Sequence, residues 1–228
     1  MKAIVRRMQE HVCTPLPGAL TLWWRHVMQT DVYGKRYRTM RNGEATKLNI
    51  KNAALDLFVK QGVDGTGVRE IAKAAGITEG AMYRHFAGKD ALVWALFADN
   101  YQAYGQKLDA LQAGALGTGA KIDAMVQGFC AFFDDDETLF QFLLLVQHGQ
   151  LAKVPDDMRT PVQVVEDVVQ AGIDAGEVGY KDATAATACV FGIVLQTATF
   201  KIYGRLGGTL KSRAIDLATA CRNAIGLE

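Results

Sequence analysis

The chain lacks most of what would break a helix or mark an enzyme. Only four prolines occur in 228 residues. They are Pro15, Pro17, Pro155 and Pro161, so the interval from Gly18 to Lys153 holds no residue that must interrupt a helix. Alternating runs of β-branched residues, the mark of half-buried strands, are absent. No run of 18 or more apolar residues appears, so no transmembrane helix and no membrane partner are expected. The four cysteines, Cys13, Cys130, Cys189 and Cys221, form no CxxC pair. Three of them sit in apolar helical segments and read as reduced core thiols of a cytoplasmic protein; a disulfide framework or a zinc site is the alternative. Residues 105–228 show no Gly-rich phosphate loop, no metal-spaced cluster and no Ser/His/Asp set. No catalytic residue, metal or cofactor is therefore expected.

Half of the residues are hydrophobic, enough for a sizeable core. The net charge of +1 conceals an asymmetry: +5 over residues 1–40, +2 over 41–90 and −6 over 91–228. A positive amino-terminal part on a negative remainder fits a molecule that touches a polyanion with one end. Apolar residues recur at helical spacing throughout, and the chain reads as all-α. Residues 1–40 stand apart: Pro15, Pro17 and Gly18 break the chain, and Trp23 and Trp24 fall in a short amphipathic stretch. This segment is expected to be a poorly ordered extension, with Met40-Arg41-Asn42-Gly43-Glu44 as a natural beginning. The alternative is a basic arm, in which Lys35, Arg36, Arg38 and Arg41 reach a minor groove. Residues 41–92 then form a small head and 93–228 a larger helical body.

In the head, a first helix starts near Ala45 or Thr46 and buries Ile50, Ala53, Ala54, Leu57 and Phe58, with Gly62 as its C-cap. A second helix runs from about Val68 to Ala75. Gly76 and Ile77 make a tight turn, and Thr78 caps a third helix from Glu79 to about Phe86. Two short helices around a turn containing glycine are the helix-turn-helix pattern. Gly80 and Ala81 are too small to fill a core, which suits a face that approaches another surface as closely as a major groove requires. Tyr83, Arg84, His85 and Lys89 beside it can all donate to phosphate oxygens. A long fourth helix follows, from Lys89 to roughly Leu111.

The stretch Thr46–Tyr101 resembles the amino-terminal domain of the TetR/AcrR family of transcription regulators. The matching residues include Ala53-Ala54, Leu57-Phe58, Gly62, Thr66, Arg69-Glu70-Ile71-Ala72, Ala75-Gly76-Ile77-Thr78, Gly80, Tyr83, His85-Phe86 and Lys89. They follow the pattern G-[IV]-[ST]-x-G-x-[LM]-Y-x-H-F-x-x-K, which is highly specific. The resemblance covers roughly a quarter of the chain. It implies phosphate contacts from Tyr83, His85 and Lys89, joined by Thr66 and Lys47. Base reading falls to Arg69, Thr78, Glu79, Gly80 and Ala81, with Arg69 forking onto a guanine. Glu79 either accepts from cytosine N4 or favours the helix N-terminus, and Arg84 is an outer phosphate contact or a surface charge. Two positions depart from the pattern. Gly67 replaces the usual Ser or Thr before the second helix, and Gly88 replaces a common Ser before Lys89.

Aromatic residues concentrate beyond the head. The ordinary reading is a core, but so many aromatics with few polar residues can also line an apolar cavity. The resemblance implies that such a cavity holds a small effector, with Trp94, Phe97, Tyr101, Phe129, Phe133, Phe140, His148 and Gln196 as candidates. His148 reads as a satisfied core or pocket group. Occupation would move the fourth helix and with it the head. Further helices are expected at about 121–133, 137–151, 161–175, 182–204 and 210–225. The last two carry more apolar surface than a two-helix contact needs, which implies a homodimer through residues 182–225. Two heads about one helical turn apart (~34 Å) match a palindromic operator in double-stranded DNA. An all-α enzyme or carrier and a nucleoid-type DNA binder are the competing classes. The absent catalytic constellations weigh against the first, and the acidic body against the second.

Overall fold

The computed structural model describes the backbone of residues 31–227 and the side chains of residues 43–227. The expectation of a poorly ordered extension lies outside the described residues over 1–30. By its contacts the chain divides into two compact units, residues 1–49 and 50–228. Of the first, the described part is the helical backbone from Asp31 onward. Helix α1 spans Asp31–Gln61, so it begins well before the expected Ala45. Between Asp31 and Ala45 there is no proline, and Gly34 and Gly43 weaken a helix without ending it.

The second unit is built of helices, with no strand among the described residues. Within it, Ile50, Ala54 and Phe58 of α1 are fully buried and four residues apart, so they form one stripe. Two short helices follow, α2 (Val68–Ala74) and α3 (Glu79–Tyr83). The long α4 (Lys89–Ala113) leads to α5 (Thr118–Asp135), α6 (Glu137–Gln150), α7 (Pro161–Asp174), α8 (Ala183–Ile202) and α9 (Ala214–Ala224).

Local sequence sets the helix starts. Thr160 and Gln163 form a reciprocal capping box, in which the Gln163 N–H donates to Thr160 Oγ1 at 3.2 Å and the Thr160 N–H to Gln163 Oε1 at 2.9 Å. Pro161 sits in the first turn, where its missing N–H costs nothing. Asp136 and Asp182 cap α6 and α8 by accepting from the N–H groups of Leu139 and Ala185.

Two apolar cores result. One lies in the body, among α4, α5, α7, α8 and α9. The other lies in the head and includes Ile71, Met82, Phe86 and Leu92. Helices α4 and α6 serve both. Phe140 of α6 lies in the body core, while Phe142 and Val146 of the same helix enter the head core, where Phe142 stacks on Phe58 at 5.9 Å. Gly105 lets α4 approach the start of α7, since a Cβ there would meet the Arg159 carbonyl oxygen at 2.5 Å. Arg159 closes the same contact from outside by a forked pair with Asp109, at 2.6 and 2.8 Å. At the far end, Asp134 accepts from the N–H groups of Leu210 and Lys211, and Arg222 bridges to Asp123 at 2.8 Å. Cys130 and Cys221 are buried free thiols, whose pKa burial raises to about 11 and about 12.

By length and composition α8 is apolar enough to cross a membrane. Here one face of it, including Ala186, Val190, Val194 and Ala198, is buried in the body core. The other face is open, as Phe200 and the neighbouring Tyr203 show.

Candidate nucleic-acid interface and ligand cavity

The turn between α2 and α3 is closed by backbone geometry. The Ile77 N–H donates to the Ala72 carbonyl at 3.0 Å and the Gly76 N–H to the Lys73 carbonyl at 3.2 Å. This pairing ends a helix through a left-handed residue, and Gly76 supplies it at φ +68°. Gly67, which has no side chain, caps α2 only through its own N–H, which donates to Glu70 Oε2 at 2.9 Å. Gln61 Nε2 donates to the same oxygen at 3.1 Å and so fixes that carboxylate against α1. Thr78 caps α3 as expected: its Oγ1 accepts from the Ala81 N–H at 3.2 Å. Helix α3 ends at Tyr83 rather than near Phe86, because the Arg84 and His85 N–H groups bond three residues back, to Ala81 and Met82, and tighten the last turn.

Most of the expected DNA contacts are carried outward on this unit. Arg69 is 89% exposed, and its Nε donates to Glu79 Oε2 at 3.0 Å across the two helices. The guanidinium is thereby held at the tip, with its terminal nitrogens unpartnered among the described residues. Gly80 is exposed, and a Cβ added there would meet nothing within the chain. Its smallness therefore serves no internal packing. Ala81 is half-buried, Tyr83 is 50% exposed, Arg84 is exposed and His85 half-buried. Lys47 lies on α1 in the first unit and is half-buried.

Two of the expected phosphate contacts turn inward instead. Thr66 is only 1% exposed, and its hydroxyl donates to the Gly62 carbonyl at 2.7 Å. Lys89 Nζ donates to the carbonyls of Val63 at 2.7 Å and Thr66 at 3.2 Å. The loop between α1 and α2 leaves carbonyls without helical partners, and the ammonium satisfies two of them. Both residues therefore build the head from within.

The body contains a cavity of about 320 Å³, within the range of small-molecule sites. Phe97, Tyr101 and Tyr104 of α4 form one wall, Phe129 and Phe132 of α5 a second, and Phe140, Leu143, Leu144 and Gln147 of α6 a third. Helices α7 and α8 close it with Glu166, Thr187 and Phe191 among others. Leu151, Val162, Thr184 and Ala188 of the lining are exposed and Glu166 half-buried, so the mouth lies there. Phe97, Phe129, Phe140 and Thr187 are buried at the deep end. Burial pushes the Tyr101 and Tyr104 hydroxyls upward, so both stay neutral donors.

Of the eight cavity candidates, Phe97, Tyr101, Phe129 and Phe140 line it. The other four do not. Phe133 is fully buried in the body core, Trp94 packs against Phe97 with centroids 6.2 Å apart, and His148 and Gln196 are exposed on the outer faces of α6 and α8. Helical phase explains the last two, since Gln147 and Leu195, one position earlier on each helix, face inward. Sequence reasoning missed Glu166 and Thr187. The signal available was the acidic pair Glu166-Asp167 between two valine pairs, and the single polar Thr187 within Ala186-Thr187-Ala188.

A helix-turn-helix head sharing two helices with an all-helical, hollow body defines the class of protein. Residues 50–96 match the family model described as bacterial regulatory proteins, tetR family. The HTH-type transcriptional regulator AcrR of Shigella flexneri is 44% identical over 66 residues, which are 28% of this chain and 31% of that protein. The matches span less than half the length of the first curated relatives. Solved structures agree over most of the fold at lower identity. The fatty acid degradation regulator FadR of Bacillus halodurans superposes with a TM-score of 0.69 at 19% identity, covering 77% of this chain and 93% of that one. FadR of Bacillus subtilis, described in complex with stearoyl-CoA, gives 0.65 at 18% identity over 78% and 98%.

Proposed function

We propose that the protein is a sequence-specific DNA-binding transcription regulator, acting as a repressor, whose operator affinity changes when a small apolar or amphipathic ligand enters the body. The observation that carries this is the sharing of α4 and α6. Phe97 and Leu143 line the cavity and also pack with the head core. A ligand that alters the packing of these helices alters the seat of α1 and of the reading unit, which is the two-state coupling such a response requires. The stearoyl-CoA complex of the Bacillus subtilis relative supports a cavity of this fold taking an amphipath.

On DNA, Arg69 reads a guanine, with Glu79 holding its guanidinium. Gly80 and Ala81 let α3 approach the base edges, and Tyr83, Arg84 and His85 grip phosphates. The chain acts as a cytoplasmic homodimer through residues 182–225. The open face of α8 and the 77% exposure of Ile215 on α9 support this assembly.

Selection of bound duplexes from a random DNA library by the full chain tests the reading. A two-fold symmetric consensus is expected. Recovery of unenriched sequence would refute a sequence-specific regulator.

A further inference from the structure

The cavity's polar groups select the chemistry of its occupant. Among the described residues that line it there is no lysine, arginine or histidine, and Glu166 is the one charged group. Glu166 lies at the mouth, where the Thr184 hydroxyl donates to its Oε1 at 2.5 Å and orients the carboxylate. Deeper in, Thr187 is 2% exposed and its Oγ1 has no hydrogen-bond partner. A buried hydroxyl without a partner is costly, and a ligand that supplies one removes the cost. The remaining surface is largely aromatic and apolar. A positive charge is attracted to aromatic faces and to a carboxylate, whereas a negative one would enter beside Glu166 with no counter-ion.

We infer that the cavity binds a lipophilic monocation, an amine or quaternary ammonium whose charged end meets Glu166 at the mouth and whose apolar body, carrying at most one or two polar groups, reaches Thr187. This rests on the reading of the cavity as the effector site and narrows it to one charge class. Acyl thioesters of the kind held by the Bacillus subtilis relative are disfavoured here, because their phosphates would be brought to a mouth that carries a carboxylate.

Three amphipaths with one tail length and different heads separate charge from burial: dodecyltrimethylammonium, dodecanol and dodecanoate. Each is titrated below its aggregation concentration into the full chain, with binding read by calorimetry and by the change in tryptophan emission, to which Trp94 contributes through its packing against cavity-lining Phe97. Dodecyltrimethylammonium is expected to bind roughly tenfold more tightly than dodecanoate, with dodecanol between them. Glu166→Gln should remove most of that preference and leave dodecanol unchanged, and Glu166→Lys should reverse it. Glu166 is only half-buried, so both variants are expected to fold, and their thermal midpoints check this. Equal or tighter binding of dodecanoate, or an unchanged preference in Glu166→Gln, overturns the charge assignment while the cavity stands as a binding site. Failure of all three to bind overturns the assignment together with the effector-site reading.

Discussion

The head and the cavity treat buried polar groups in opposite ways. In the head, Thr66 and Lys89 spend their donors on loop carbonyls, and the groups without internal partners, such as Tyr83 and Arg84, point outward. In the cavity, Thr187 is buried and unpartnered. A unit whose inner polar groups are satisfied is preformed and presents a fixed surface. A cavity with an open hydrogen-bonding site and space for a ligand is complete only when occupied. The contrast suits a head that reads one kind of DNA site and a body that responds to its contents.

Severing the link between the two regions should have the largest effect. Phe142 is fully buried, stacks on Phe58 and ties α6 to the head core. Phe142→Ala should cost about 3–5 kcal/mol in denaturant unfolding. It should also uncouple any ligand response from DNA affinity. A loss below ~1 kcal/mol would mean that α6 is not part of the head's foundation. Next comes Gly105→Ala, which drives a methyl group into the Arg159 carbonyl oxygen. Backbone cannot yield as a flexible side chain can, so a loss of about 1–3 kcal/mol is expected. A neutral result would show that α4 and the start of α7 can separate at no cost.

The head's outward groups offer a third test. Arg69→Ala should weaken operator binding by about 1–3 kcal/mol and relax the preference at one base pair, as read by fluorescence anisotropy against a panel of single-site variants. Glu79→Gln keeps the side-chain length but removes the charge that holds the Arg69 Nε. It should reproduce part of the specificity loss with little change in salt dependence. Tyr83→Phe should instead weaken every sequence alike. If Arg69→Ala weakens all sequences equally, its guanidinium grips phosphate and the pair with Glu79 has no reading role.

The two regions also differed in how far sequence alone could describe them. The turn at Gly76, the cap at Thr78 and the opening at Gly80 each need one residue type at one place, so a pattern of letters specifies them. What escaped was which donors turn inward, because Thr66 and Lys89 are polar residues whose direction depends on carbonyls brought close by folding. In the body, aromatic content showed that a cavity was plausible, and the helices fell close to where periodicity placed them. The lining followed less well. A rotation by one residue on α6 or α8 exchanges Gln147 for His148 and Leu195 for Gln196, and helices whose apolar residues run round more than one face give little sign of their phase. The early start of α1 escaped because the apolar stripe that marks the helix begins at Ile50, while residues 31–49 are mostly polar.

Filling or deleting the unpartnered hydroxyl probes the cavity more gently. Thr187→Val keeps the shape and removes the buried polar group. The empty protein should gain up to about 1 kcal/mol of stability. Affinity for a ligand that bonds to Oγ1 should fall, while one with a purely hydrocarbon body should bind no worse. A variant less stable than the parent would show that the hydroxyl is already satisfied by water.

The smallest effect concerns the clamp outside the cavity wall, where polar groups are again paired. The Arg159 guanidinium hydrogen-bonds Asp109 and holds its carboxyl below the usual carboxylate range. The folded pKa is lower than the unfolded value of about 3.9, so the contribution is fully present above that value and is lost as the pH falls through the folded pKa. Both side chains are about a third exposed, 36% and 33%, and solvent screening limits the pair to under about 1 kcal/mol. Asp109→Asn should therefore lower the thermal midpoint slightly at pH 7 and flatten its decline below about pH 4. Asp135 and Glu177, also held low by hydrogen bonds from Lys211 and Thr118, supply acid sensitivity that remains in the variant. Parallel profiles for parent and variant across the acid range would show that the Asp109–Arg159 pair orients the start of α7 without stabilising it. Gly105 alone would then set how closely that wall approaches α4.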